Sequence, residues 1–365
     1  MKVIFINAYP MDIALKQWKK GLYPGHHLWG VNEIEKRGKM FFKVLKHEKY
    51  KWLNRLGSLF DIEHFDQQIR TIWELRQNDA IYAPYAGENT KLIIILKALG
   101  LIRKPVIIVI HQPLLKYNTD NKILRVVVKN LILKYDAIIF LSRELKRDME
   151  DKLEVSQKVA ERKFFHLNWG PEVNFYKNYS NPKHPQNTTF AISAGHTGRD
   201  FDTLVEAFRI IDFPLKIFCT PKSSPSITNI PSNVTIISNE KLLPYTELLK
   251  EYDNARVILV PLQPQPKGTE GLTSLLDVLG MAKPIIMTQN DKVDIDVEKE
   301  GIGLTVGTGD IQDWIRSLNT VLFNDQLLLE MQKNCLRLMH SVYNLDCFSK
   351  GLENIINDTV KREKL

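Results

Sequence analysis

Ten short apolar runs, grouped in two separate series of five, constrain this chain more than any other feature of it. The first series is VIFINA (3–8), MFFKVL (40–45), DAIYAP (79–84), PVIIVIH (105–111) and DAIIFLS (136–142). The second is FAISAG (190–195), LKIFCT (215–220), NVTIIS (233–238), RVILVP (256–261) and KPIIMT (283–288). Each run is strand-sized and apolar along its length, as befits a strand buried on both faces. Amphipathic stretches near 28–37, 64–76, 90–99 and 121–134 separate the first runs, and others near 201–210, 244–252, 271–281 and 310–322 follow in the second series. Strands alternating with helices make parallel sheets through right-handed crossovers, so two series predict two doubly wound α/β domains. A chain of 365 residues, 44% of them hydrophobic, suffices for two cores. Proline and asparagine between the series mark a linker at roughly 168–189, and two further helices are predicted near 324–341 and 346–361.

The rest of the composition narrows the function. Three cysteines, Cys219, Cys335 and Cys347, have no metal-ligand spacing and read as packed thiols of a reducing compartment. The opening MKVIFINAYP reads as a first buried strand rather than a signal peptide, and no apolar run is long enough to span a bilayer. Charge is unevenly placed. Residues 1–172 hold 30 Lys+Arg against 19 Asp+Glu, a net of +11, whereas the remainder holds 20 against 23, a net of −3. The first half is therefore expected to meet something anionic, and with no recognised nucleic-acid module present, an acidic membrane surface is favoured over nucleic acid. The segment HEKYKWLNRLGSLF (47–60) fits that reading. Trp52, Leu53, Leu56 and Phe60 fall near one helical face, flanked by Lys49, Lys51 and Arg55. The alternative is that this face packs on its own domain, with Trp52 and Leu56 in the core.

In open α/β sheets, ligands gather at the carboxyl ends of strands and at helix N-termini, which directs attention to four places. In GTEGLTSLLDVLGMAKPIIMT (268–288), Glu270, Gly271, Leu272, Thr273 and Ser274 precede or open an apolar helix. Small residues there let backbone amides approach a phosphate, and Asp277 one turn on could accept from a ribose diol. Thr273 or Ser274 would serve equally as a simple helix cap. In SAGHTGRDFDTLVEAF (193–208), Gly195 and His196 lead to Arg199, whose forked guanidinium suits a diphosphate. Asp200 caps the following helix or pairs with Arg199 at the surface. In YPGHHLWGVNEIEKRG (23–38), Gly25, His26 and His27 follow the first strand and would enter an interdomain cleft, or form a long surface loop with solvated histidines. His111 ends the strand PVIIVIH, where it could bond a sugar hydroxyl or move a proton, or be a satisfied structural histidine.

Two other features imitate metal sites. Asp294 and Asp296 have the form of a metal-binding carboxylate pair, but they follow a strand and a polar turn and lead into a predicted helix start, VEKEG. Adjacent His26 and His27 do not make a metal signature either.

Taken in order, GLTSLLDVLGMAKPII, SAGHTGRDFDTLVEAF, NWGPEVNFY and the early glycine loop resemble glycosyltransferase family 4, the retaining GT-B enzymes, over nearly the whole chain. The resemblance implies two Rossmann-like domains facing a cleft. Residues 1–172 would form the acceptor side and 173–345 the nucleotide-sugar domain, with 346–365 a helix that crosses back to the first. It implies metal-independent, cofactor-free transfer with retention from a nucleotide-diphosphate sugar, UDP-sugar favoured. The acceptor would be a glycan, glycolipid or lipid-linked molecule, the setting surface polysaccharide assembly, and the location the cytoplasm, peripheral on the inner leaflet. His111, Arg199 and Glu270 take catalytic roles. Gly25, Gly195, His196, Arg199, Gly271, Leu272, Thr273, Ser274 and Asp277 hold the donor. The family's paired glutamates have seven residues between them, and here the two positions are Thr269 and Asp277, with Glu270 one place after the first. Its basic pair is Arg199 with a second member near His196, or supplied by Lys222 or Lys267. A nucleotide-sugar epimerase of similar architecture and a catalytically inactive nucleotide-binding partner remain the alternative readings.

Overall fold

A computed structural model describes residues 1–84, 87, 89–114, 122–241 and 243–363. The chain divides into two compact units. The first contains Met1–Gly21, Gly25–Trp169 and Leu345–Leu365, and the second Leu22–Pro24 and Gly170–Asn344.

The first unit is built on strands β1 (Lys2–Phe5), β2 (Phe41–Val44), β3 (Ala80–Ala83), β4 (Val106–Ile110), β5 (Ala137–Phe140) and β6 (Phe164–His166), in the order β2-β1-β3-β4-β5-β6. The second has β7 (Phe190–Ala194), β8 (Leu215–Cys219), β9 (Val234–Ser238), β10 (Ala255–Val260), β11 (Ile285–Thr288) and β12 (Gly303–Val306), in the order β12-β11-β10-β7-β8-β9. Every pairing is parallel. Strands β3, β4 and β5 are buried at every residue, which is why their sequences run apolar without alternation. All ten runs read from the sequence contain a strand. The two additional strands, β6 and β12, are short edges that pair on one side only.

The helices follow the periodic stretches, including Phe65–Glu74, Lys91–Ala98, Leu272–Met281, Ile311–Leu322 and Asp325–His340. The helix Lys122–Ile132 fills most of the stretch near 121–134, whose first residue lies outside the described ones. The predicted helix after Asp296 does not form. Asp296 instead accepts from the amide of Lys299 at 3.0 Å in a turn, a local side-chain bond that competes with helical geometry. Cys219 and Cys335 are buried as expected, whereas Cys347 is exposed. The last helix, Leu345–Arg362, belongs to the first unit, burying Phe348, Leu352 and Ile356. Arg37 fixes it by donating to Glu353 at 2.6 Å and to Ser349. No helix among the described residues is long and apolar enough to cross a membrane.

Strand order determines where a site forms. In the second sheet the chain runs from β7 outward to β9, then returns to the other side of β7 as β10. The loops after β7 and β10 therefore diverge at a topological switch point, where open sheets bind ligands. They meet there: Arg199 and Leu262 form an antiparallel bridge. The helix after β10 is held by contact with Tyr176, whose ring lies where a side chain on Gly280 would sit, within 2.5 Å of a Cβ. Gly280→Ala is therefore expected to lower stability by about 1–3 kcal/mol despite the better helix propensity of alanine. Thermal or denaturant unfolding checks this, and unchanged stability would show that Tyr176 yields without cost.

Candidate functional site

Arg199 is placed by the turn that follows β7. Gly195 has its side-chain position filled by Arg199, with Nε 2.6 Å and Cγ 2.9 Å from where a Cβ would stand. Glycine is therefore required at 195 for the guanidinium to lie flat on the loop. Nη2 donates to Ser274 Oγ at 3.1 Å and Nη1 to the Thr197 carbonyl at 3.3 Å. Nε is buried without an acceptor, and no carboxylate among the described residues comes within ion-pair distance. Two of the five N–H groups are thus committed. Burial lowers the Arg199 pKa, opposed by Tyr252 and Glu270 nearby. The surface Arg–Asp pair does not form, because Asp200 caps the next helix by accepting from Thr203 N at 3.1 Å. His196 is exposed, as are Lys222 and Lys267. Lys222 stands on the turn Pro221–Ser223, whose Ser223 Oγ lies 3.5 Å from the Gly195 carbonyl.

The loop after β10 supplies the other wall. Gly271 begins the helix Leu272–Met281 with φ +90°, and no side chain caps it. The reading of Thr273 or Ser274 as the cap therefore fails. Thr273 is exposed, and Ser274 is buried under Arg199. Glu270 turns its carboxylate back onto its own loop, accepting from Lys267 N at 3.2 Å and Gly268 N at 2.6 Å. Asn290 braces the same loop through the carbonyls of Gly268 and Glu270. Thr269 and Leu272 are buried. Arg199, Glu270, Gly271 and Ser274 are thereby brought together at the start of an apolar helix that no side chain caps, where the first amide, Leu272 N, donates to the Thr269 carbonyl at 3.0 Å.

Asp277 lies one turn deeper and is only 4% exposed. Its Oδ1 accepts from Tyr176 OH at 2.5 Å and from Tyr245 OH. Burial raises its pKa to about 6, and the two tyrosine bonds oppose that rise. Tyr23, in a short segment belonging to this unit, stacks edge-on against Tyr245 at 5.4 Å, and its own pKa is pushed up to about 12 by burial and by Asp277. This tyrosine set was not found from the sequence, since its members lie far from Asp277 along the chain. The NWGPEVNFY motif that contains Tyr176 was the only pointer.

The remaining sequence candidates stand in the first unit. Gly25, His26 and His27 lie in a short 3-10 turn, with His26 buried and His27 half-buried, so the solvated-loop reading fails. Burial lowers the His26 pKa well below normal and takes His27 to about 4. Their rings pack on Trp169, which stacks on Trp29 at 4.8 Å, and Trp29 in turn lies 5.7 Å from His111. His111 borders a largely apolar cavity of about 340 Å³ lined by Ile95, Val109, Val128 and Leu131. In the helix Lys51–Ser58, Leu53 turns inward, whereas Trp52 and Leu56 are exposed at 63% and 40%, so they are not core.

No family model matches this chain, and no curated protein does. Solved structures match it along almost its full length. A glycosyltransferase from Rickettsia africae ESF-5 aligns with TM-score 0.65 at 13% identity, covering 99% of this chain and 98% of its own. HepE from Anabaena, solved with UDP-glucose, gives 0.64 at 12%, covering 98% and 100%. A protein described as a UDP-N-acetylglucosamine 2-epimerase, from Listeria monocytogenes, gives 0.58 at 12%, covering 99% and 97%. The chain therefore has the GT-B fold.

The Asp277 environment makes a pH prediction. A carboxyl whose folded pKa is raised stabilises the fold most below its unfolded pKa near 4, and that contribution is lost as pH rises through about 6. Asp277→Asn keeps the acceptor for both tyrosines and removes the titration. Its unfolding free energy relative to the parent should climb between pH 4 and 7, by an amount on the order of 3 kcal/mol. A difference that stays constant over that range would contradict the assignment.

Proposed function

We propose that this chain is a retaining glycosyltransferase of the family 4 type that takes a sugar from a nucleotide diphosphate, UDP first, and passes it to a glycan, glycolipid or lipid-linked acceptor. The observation that carries the reading is the partly committed Arg199 guanidinium beside the uncapped N-terminus of the helix Leu272–Met281. Breaking the glycosidic bond leaves charge on the diphosphate, and a fixed cation with helix amides stabilises that charge as it develops. No metal is required for this, so activity should survive chelation. Asp277 would take the ribose, in competition with its tyrosine partners, and Glu270 would leave its own loop amides to meet the sugar. Gly195 and His196 would border the diphosphate. On the acceptor side, Gly25 and His111 are assigned to the approach and orientation of the incoming hydroxyl.

Several features support a lipid-linked acceptor, a peripheral place at the cytoplasmic leaflet and a role in surface polysaccharide assembly. Trp52, Leu56, Leu59 and Phe60 are exposed near Lys49, Lys51 and Arg55. The helix Lys122–Ile132 exposes Ile123, Leu124, Val126 and Val127 beside Arg125. Apolar side chains edged by cations suit an anionic bilayer, with about 1 kcal/mol from each basic residue near the surface. The apolar cavity beside His111 is of a size and character to take hydrocarbon. The likeness to the Listeria protein keeps nucleotide-sugar epimerisation as a second reading, and Thr269 in place of a carboxylate keeps an inactive nucleotide-binding partner as a third. Product analysis with and without acceptor separates them.

Saturating UDP should raise the thermal midpoint of the parent, since a ligand of the folded state adds stability. Arg199→Ala and Asp277→Ala should each weaken UDP binding by about 1.5–3 kcal/mol while remaining folded. Calorimetry that finds no nucleotide binding, or undiminished affinity in both variants, would defeat the donor site. The protein should also sediment with anionic vesicles at low salt, release at high salt, and bind neutral vesicles weakly. Replacing Lys49, Lys51 and Arg55 with glutamine should reduce sedimentation and spare UDP binding. A protein that stays in the supernatant would leave a soluble acceptor as the answer.

A further inference from the structure

Where the chain leaves β2, three side chains of ligand chemistry converge well away from the Arg199 loop in sequence. One ligand atom from each of His47, Glu48 and His64 lies within 4.8 Å of the others. A tetrahedral zinc with nitrogen and oxygen ligands at about 2.0–2.2 Å sets those atoms roughly 3.4 Å apart, so rotation of the side chains closes the set. Two histidines and one glutamate form a donor set that zinc uses when one coordination position is left open.

The set is held in place by its surroundings. His47 Nε2 lies 3.0 Å from the Ala8 carbonyl, which can only accept. That contact puts the proton on Nε2 and leaves Nδ1 bare for a cation, with the backbone carbonyl as the outer partner that orients metal-bound histidines. Both sides of the pair His47–Glu48 are fastened to the helix Phe65–Glu74. Arg70 donates to the Lys46 carbonyl at 2.6 Å, and Lys49 N donates to Asp66 at 2.8 Å. Asp66 and Arg70 are themselves a buried ion pair at 2.6 Å. His64 stands immediately before that helix, so all three ligands hang from one frame.

The frame keeps two of them in unfavourable backbone. Glu48 has φ +44° and His64 has φ +49°, in the left-handed region where non-glycine residues are uncommon. A cavity of about 350 Å³ opens beside Glu48 and His64, and Asp61 and Glu63 also line it. Asp61 there is paired with Lys91 at 2.6 Å.

We propose that His47, Glu48 and His64 bind a divalent first-row transition ion of the zinc type, with the open position facing that cavity. The ion would tie the loop after β2 to the start of the helix Phe65–Glu74. It is separate from the donor chemistry at Arg199, so its loss should leave UDP binding intact, and the two readings fail independently.

The test uses the full chain without an affinity tag. Titration with zinc chloride should show one ion per chain and raise the thermal midpoint. Cobalt chloride should give visible absorption stronger than that of the hydrated ion. His64→Gln and His47→Gln should each weaken zinc binding by roughly tenfold or more. Glu48→Gly is the more telling variant, because glycine relaxes the φ of +44° while removing a ligand. Without zinc it should be at least as stable as the parent, and its response to zinc should vanish while its response to UDP remains. It also decides the matter should a histidine variant fail to fold. No zinc response in the parent, or a response that persists in Glu48→Gly, would overturn the proposal.

Discussion

A partly buried guanidinium, laid on a glycine and anchored to one serine, is the constraint around which the second unit is organised. Arg199 loses hydration without gaining a carboxylate, and two hydrogen bonds do not satisfy five N–H groups. Such an arrangement is expensive unless something anionic completes it. Its neighbours are arranged accordingly. Gly195 gives the side chain its bed, Ser274 fixes its far end, and Gly271 turns the chain into a helix start that no side chain caps. The bridge between Arg199 and Leu262 brings the two switch-point loops together.

Behind this lies the Asp277 cluster, which converts a second unfavourable burial into structure. A carboxyl in that position is costly when charged, and two tyrosine hydroxyls offset part of the cost. Tyr176 also fills the notch at Gly280, so one ring packs the helix and bonds its acid. The helix that presents amides to the site is thus clamped from its buried side.

The fold was legible because parallel strands buried on both faces leave a plain trace, an apolar run punctuated by helical periodicity. All ten runs contain strands. The edges β6 (FFH) and β12 (GLTV) were missed because the one is three residues long and the other opens on glycine and carries a threonine, so neither leaves an apolar run like that of the equally short edge β2. The helix Arg143–Lys152 was also missed. It buries only Leu145 and Met149, so its stripe is narrow, and its Ser142 cap was the available signal. Glycines and Arg199 could be placed from the sequence because their chemistry is local to a strand end. The tyrosines could not be placed, since the Tyr176–Asp277 bond spans 101 residues and no periodicity records it. His26 and His27 look solvent-facing by residue type, yet their rings pack on Trp169, which buries the first and half-buries the second. In the helix Lys51–Ser58 the amphipathic pattern was real, but of the four residues read onto one face Leu53 turns inward with Gly57, whereas Trp52, Leu56 and the following Phe60 are exposed.

The place where a nucleotide diphosphate sits is the most direct test of the Arg199 site. A crystal structure of the chain with UDP should place the diphosphate within hydrogen-bonding distance of the Arg199 guanidinium and the first amides of the helix Leu272–Met281, with the ribose toward Asp277. A diphosphate bound elsewhere, with Arg199 still turned onto Ser274 and Thr197 alone, would contradict it.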